Sequence, residues 1–133
     1  MMLLNTRDIQ LINAFETLTG ANVVDCIDAE GSLNFLVEKG HLGAAIGKGA
    51  ANINKAKKAM GRQIIVFEDA DDPEKLIKNM CSPLVPNVSS SERGIRIQLK
   101  RSDRDEISGK KIRIIKELVK RRVKAPDINF VFA

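Results

Sequence analysis

Ile46-Gly47-Lys48-Gly49-Ala50-Ala51-Asn52-Ile53 sets the architecture expected of this chain. Two glycines and a lysine interrupt two short helical patterns. The first runs from His41 to Ile46; the second runs from Ala51 to Met60, with Ile53, Ala56 and Met60 as its apolar stripe and Lys55 and Lys58 projecting elsewhere. Glycines at such a corner let one backbone approach another. The amides of the break and of the following helix start point outward as donors, a ready place for an anion. Lys48 adds a mobile charge there, and Lys55, Lys57 and Lys58 extend the positive field by a turn. A phosphodiester strand fits this better than an isolated carboxylate does. A plain helix–turn–helix corner, in which glycines only permit tight packing, is the alternative.

Other phosphate motifs fail on the same residues. A Walker A loop requires Gly at Leu42 and Ser or Thr at Gly49. A dinucleotide fingerprint requires Gly at Asn52 and a strand leading directly into the loop. The strands expected on either side argue against a DNA-binding helix-turn-helix.

Upstream, Thr6 or Asn5 can cap a helix to about Thr19, with Asp8 in its first turn and Ile9, Leu11, Ile12, Phe15 and Leu18 on its apolar face. Gly20 ends it. Val23, Val24, Cys26 and Ile27 predict a strand, Asp28 to Gly31 a turn, and Leu33 to Val37 a second strand. Gly61 stops the helix after the corner, and Ile64 to Phe67 predict a third strand. The order then repeats. Asp72 caps a helix with Pro73 at its first position, running to about Asn79. Val85 to Ser89 predict a weak strand, Ser89 to Gly94 a turn, and Ile95 to Leu99 an alternating strand. A short helix is expected over Asp103 to Ile107, a break at Ser108-Gly109, and a long helix from Lys110 to about Lys124 with Ile112, Ile115, Leu118 and Val119 inward and Lys116, Lys120 and Arg121 outward. Ile128 to Phe132 predict the last strand. One pattern therefore occurs twice, with a helix–break–helix registration that sets Ile107 on Ile46 and Lys116 on Lys55.

The pattern I-G-x-x-G-x-x-I between two helices resembles the signature of KH domains, which clamp about four nucleotides of single-stranded RNA. With two strands before the motif and one after, the order is similar to the type II KH arrangement. Two such units resemble the KH pair of NusA, and the whole chain is similar to archaeal NusA-like proteins, as are Asp71-Asp72-Pro73-Glu74 and Asp127 to Phe132. The resemblance implies an α+β chain of two tandem type II KH domains. Each would be α-β-β-α-α-β, with a three-stranded sheet and helices packed on one face. Residues 1–69 would form the first domain and 70–133 the second. Two departures stand out. Ala50 occupies the place of the motif's second glycine. In the second unit the matching residues are Ser108, Gly109, Lys110 and Lys111, a degenerate motif followed by Arg113, Lys116 and Lys120, which suggests side-chain charge in place of a backbone clamp. The RNA-binding set expected on this reading is Ile46, Gly47, Lys48, Gly49, Ala50, Asn52, Ile53, Lys55, Lys57, Lys58 and Arg62, together with those seven residues of the second unit. Ile46, Ile53 and the Ile64–Phe67 strand could line an apolar groove for bases. Core packing is the favoured reading for Ile53 and Phe67, and for Phe130 and Phe132.

Charge agrees with a polyanion partner. The chain has 133 residues and a net charge of +5. Residues 1–69 carry 7 Lys and Arg against 8 Asp and Glu, while residues 70–133 carry 15 against 9. A solvated face of lysines would also explain the excess. Each half is small, so the two should pack on one another or lean on a partner. With five Phe and no Tyr or Trp, stacking platforms are not expected. Cys26 and Cys81, far apart and apolar-flanked, are expected as buried free thiols of a reducing compartment. No signal peptide or membrane span is expected, which places the protein in the cytoplasm. His41 has no nucleophile partner and is expected to cap a helix. Glu68 to Asp72 are expected to serve as capping and dipole residues rather than a metal site. No triad or carboxylate pair makes a catalytic case, so a non-enzyme without cofactor or metal is expected. By resemblance it would be a monomer that holds nascent RNA in transcription termination or antitermination, near RNA polymerase. A ribosomal RNA-binding or ribosome-assembly protein is the alternative.

Overall fold

In a computed structural model, which describes residues 5–29, 31–124 and 127–133, the chain divides into two compact units, Met1–Asp69 and Ala70–Ala133. The first begins with α1 (Thr6–Thr19). Asn5 Oδ1 accepts from the Asp8 amide at 2.8 Å and Asp8 Oδ2 accepts from the Asn5 amide at 3.4 Å, so two otherwise unpartnered donors close each other. Gly20 ends the helix in the left-handed region, its amide on the Glu16 carbonyl. There follow β1 (Val23–Ala29), β2 (Ser32–Val37), α2 (Leu42–Ile46), a tight 3₁₀ turn over Lys48–Ala50, α3 (Ala51–Met60) and β3 (Gln63–Glu68).

Strand β2 lies at the centre of the sheet, antiparallel to β1 and parallel to β3. Parallel neighbours cannot be joined by a two-residue turn, so the chain must leave the sheet and return. Helices α2 and α3 are that crossover, and their corner stands off the sheet. Alternation along β2 turns Leu33, Phe35 and Val37 toward the helices, where they pack with Phe15, Ala45, Ala56 and Ile64. Phe15 and Phe35 stack with ring centroids 4.2 Å apart and both are fully buried. Each such ring contributes about 1.5–3 kcal/mol by leaving water.

The second unit follows the same order except that a 3₁₀ turn replaces the first of the two crossover helices, so it is not the expected α-β-β-α-α-β: α4 (Pro73–Cys81), β4 (Asn87–Ser91), β5 (Gly94–Leu99), a 3₁₀ turn over Arg101–Asp103, α5 (Gly109–Val123) and β6 (Ile128–Phe132). Asp72 caps α4 by accepting from the Lys75 amide at 2.8 Å. Strand β5 is central, antiparallel to β4 and parallel to β6, and α5 lies in the crossover. Leu76, Ile77, Met80, Ile97, Leu99, Ile115 and Leu118 are fully buried or nearly so. Both cysteines are free and buried, and burial pushes the Cys81 thiol up to about 11.

The α+β class is as expected, and most elements fall where the pattern placed them. Several do not. Asp28 and Ala29 continue β1 opposite Leu33 and Ser32 instead of turning. Of that expected turn, Gly31 takes φ 80°, and Glu30 lies outside the described residues. Ile9 is 49% exposed rather than in the apolar face. Strand β4 starts two residues later than expected. Val85 is 80% exposed, and pairing begins with Asn87 on Gln98, after Pro86, which has no amide to give a ladder. The turn shrinks to Glu92 and Arg93 because Ser91 still pairs with Gly94. The helix expected over Asp103 to Ile107 is instead the earlier 3₁₀ turn, closed by Asp103 Oδ2 accepting from the Lys100 amide at 3.1 Å. Phe130 and Phe132 are half-buried on an edge strand rather than core.

Candidate nucleic-acid interface

The corner between α2 and α3 is open to solvent. Lys48 and Gly49 are exposed, and Ile46, Gly47 and Ala50 are half-exposed. Three residues there have positive φ: Gly47 at 76°, Gly49 at 62° and Ala50 at 64°. Gly47 combines its φ with ψ 169°, a region essentially reserved for glycine. A Cβ on it would fall 2.7 Å from Asn52 Cγ and 2.8 Å from the Asn52 nitrogen. The glycine is therefore required twice over, by conformation and by close approach.

Asn52 is tied into the fold through its side-chain amide. Its Nδ2 donates to the Ala44 carbonyl at 2.7 Å and to the Thr19 carbonyl at 3.4 Å, tying the first turn of α3 to α2 and to the end of α1. Helix α3 has Ala50 at its cap position and no side-chain cap, while the Ala50 and Ala51 amides donate to the Gly47 and Lys48 carbonyls within the turn. Lys55 and Lys58 are exposed on its outer side, Lys57 is half-buried, and Ile53 packs against the core. Asn54, Lys57, Lys58 and Gln63 line an open depression with Gly31 and Arg62.

Arg62 does not stand free in it. Its Nη2 lies 2.5 Å from Asp28 Oδ1 and its Nη1 3.4 Å from Oδ2, a two-pronged pair, while Arg7 Nη2 reaches the same carboxylate at 2.9 Å. The hydrogen bond from Arg62, with the charges of Arg62 and Arg7, holds the Asp28 carboxyl below its ordinary value against the opposing effect of burial. The same bond raises the Arg62 guanidinium. This arginine pins the β1–β2 end to the start of β3. His41 likewise departs from its expected role. It stands at the start of α2, but its side chain makes no cap; Nδ1 accepts from the Asn22 amide at 3.0 Å.

The second unit meets the corner differently. Ser108 and Gly109 form no left-handed break. Ser108 is the cap of α5, its Oγ accepting from the Lys111 amide at 3.1 Å, and Gly109 is the first helical residue. The side-chain cap that α3 lacks is thus present in α5. Lys111 leans toward the Ser82 carbonyl at 3.4 Å, and Lys110 is half-exposed. Arg113, Lys116 and Lys120 line one depression beside β6 with Glu117, Asp127 and Ile128, while Arg121 pairs with Glu117 at 3.1 Å. Among the described residues no group of three or more His, Cys, Asp or Glu is placed to hold a metal, and no helix is long and apolar enough to cross a membrane.

The family described as the KH domain matches residues 11–130. A protein of Halobacterium salinarum named "Probable transcription termination protein NusA" is 32% identical over 127 residues, which is 90% of this chain and 91% of that one. The chain belongs to the KH-domain family of archaeal NusA-like proteins. Two methanogen proteins of the same printed name match over a shorter stretch. That of Methanococcus vannielii is 42% identical over 81 residues, 61% of this chain, and that of Methanocaldococcus jannaschii is 35% identical over the same length. The matched stretch is 47% and 44% of those two proteins, under half of each. In fold, the crystal structure of APE1850 superposes with a TM-score of 0.79 over 98% of this chain and 100% of that one, at 24% identity. Within the matched region Ala50, at the place of the motif's second glycine, holds a left-handed backbone in spite of its methyl group.

Proposed function

We propose that this chain is a non-catalytic RNA-binding protein of two tandem type II KH domains, residues 1–69 and 70–133, that holds single-stranded RNA in transcription termination or antitermination. One observation carries the reading: an exposed, left-handed glycine corner opens onto an uncapped helix start, with Lys48 on the corner and Lys55 and Lys58 one turn on. Backbone donors there meet phosphate oxygens, and the lysines add charge that a strand of phosphates satisfies. The bases fall toward the groove bordered by Ile46 and α3. The second domain contributes through Arg113, Lys116 and Lys120, with Ser108 and Gly109 serving the helix rather than the ligand. The printed names of the archaeal relatives favour transcription over the ribosome as the setting, with RNA polymerase nearby. The family's way of acting is binding rather than chemistry.

The test changes Lys48 alone, because Gly49 needs its left-handed backbone. Lys48→Glu in the full chain should weaken binding of a short single-stranded RNA about tenfold or more at moderate salt, measured by fluorescence anisotropy, with an unchanged melting curve. Binding as tight as the parent's removes the first domain's corner as the clamp.

A further inference from the structure

The second unit carries an aromatic–cation pair that its row of helix lysines does not explain. Parallel pairing sets Phe130 beside Ile97 and Phe132 beside Leu99. Ile97 and Leu99 are buried, so both phenylalanines turn to the same side of the sheet as these core residues. Because β6 is an edge strand, neither ring is fully covered. The Arg104 guanidinium lies over the Phe132 ring, its Cζ 5.6 Å from the ring centroid. Arg104 is exposed, and among the described residues no carboxylate forms an ion pair with it.

Its position suits a strand already held by α5. Arg113, Lys116 and Lys120 meet Ile128 at the start of β6, whereas Phe132 is at the end of the same strand. Four residue steps separate these points by about 13 Å. A single strand lying along β6 with its phosphates on the lysines would bring a base to the Phe132 end. The chemistry at Arg104 selects a base over a phosphate. Asp103, Asp105 and Glu106 flank it in sequence and leave the turn with little net positive charge to draw an anion. A guanidinium is flat and weakly hydrated on its faces, and one that lies over an aromatic ring while exposed to solvent can offer a face for stacking. Nucleobases stack on both arginine planes and aromatic rings.

We propose that Arg104 and Phe132 form a nucleobase-stacking station, in which an unpaired base of bound RNA lies on the open face of the Arg104 guanidinium with Phe132 beneath it. This rests on the RNA-binding reading above and gives it a specificity element outside the glycine corner. The test uses the full chain and a set of short single-stranded oligoribonucleotides carrying 2-aminopurine at each position in turn, whose fluorescence is quenched on stacking. At one position the parent should quench the probe strongly. Arg104→Lys, which keeps the charge but removes the plane, should lose that quenching and weaken binding about fivefold or more, while the slope of affinity against salt stays the same. An abasic site at that position should bring the parent down to the variant's affinity. Phe132→Leu should behave in the same way, and because it could loosen the sheet edge, Arg104→Lys is the deciding variant. If the parent binds RNA and Arg104→Lys binds and quenches equally well, the stacking station is overturned and the RNA-binding reading stands. If the parent binds no RNA, both fall.

Discussion

At Gly47 the backbone occupies a region that only glycine enters without strain, and Asn52 crowds the space a methyl would need. Gly49 has the same sign of φ but open space around it. Gly47→Ala should therefore destabilise the chain by about 2–3 kcal/mol, and Gly49→Ala by roughly 1–2 kcal/mol, in urea unfolding. Ala50 runs the other way. Its left-handed backbone costs about 1–2 kcal/mol, while a glycine would raise the entropy of the unfolded chain by the equivalent of about 0.4–1 kcal/mol. Ala50→Gly should thus stabilise by about 0.5–1 kcal/mol; a loss of that size would mean that the methyl makes contacts which outweigh the strain. Asp28 supplies a pH-dependent contribution at the same scale. Its pKa is lowered in the folded state from 3.8, so the folded chain binds fewer protons there than the unfolded one. The stabilisation is present above the unfolded value and is lost as pH falls through the lowered folded one. Asp28→Asn should flatten the acid limb of a stability–pH curve below about pH 4 and lower stability at neutral pH. An unchanged limb would show that Arg62 and Arg7 do not hold this carboxylate in solution.

Between whole elements, the contrast that matters is between α3, which opens without a cap, and α5, which Ser108 closes. Ser108→Ala should cost about 1 kcal/mol of stability and leave RNA affinity unchanged, as checked by thermal melting and anisotropy on one preparation. A loss of affinity with no loss of stability would return Ser108 to the interface. This difference was not legible in the sequence, where Ser108-Gly109 reads as a break. A serine before a glycine fits either a loop or a cap, and the choice depends on where the Lys111 amide points. Elements with local signals were legible: α1 from Asn5, Asp8 and Gly20, α4 from Asp72 and Pro73, and β5 from its alternation. Strand β4 was misplaced because Asn87-Val88-Ser89-Ser90-Ser91 lies at an exposed edge and has almost no apolar alternation to mark its register. At the candidate site, the exposed corner and the outward lysines of α3 follow from glycine and helical spacing. The engagement of Arg62 with Asp28 does not, since the partners are 34 residues apart and meet only once β1 and β3 lie in one sheet. The placement of Arg104 over Phe132 was hidden because the two lie far apart in sequence and meet only in the folded unit.

For the molecule as a whole, charge is divided unevenly. Residues 70–133 hold 15 of the 22 basic side chains, while the glycine corner belongs to residues 1–69, where acids outnumber bases by 8 to 7. Two kinds of phosphate contact are therefore expected in one chain. The first unit can use backbone donors, which displace few counterions because a neutral amide brings no charge of its own. On the proposed reading the second unit would rely on side-chain cations, each of which would release a condensed counterion on binding. The consequence is a difference in salt dependence rather than in affinity alone. For single strands, the slope of log affinity against log salt changes by about 0.7 for each phosphate neutralised, so replacing both Lys116 and Lys120 by alanine should flatten it by about 1.4. Lys48→Ala, which removes one cation beside the amides, should flatten it by about 0.7. Gly49→Ala alters the backbone and no charge, so it should lower affinity at every salt concentration with the slope unchanged. Anisotropy titrations of the full chain over a salt series separate these outcomes. A slope unaffected by losing Lys116 and Lys120 would mean that the basic face of α5 is a solvated surface, and that the excess charge of residues 70–133 serves something other than the strand held at the corner.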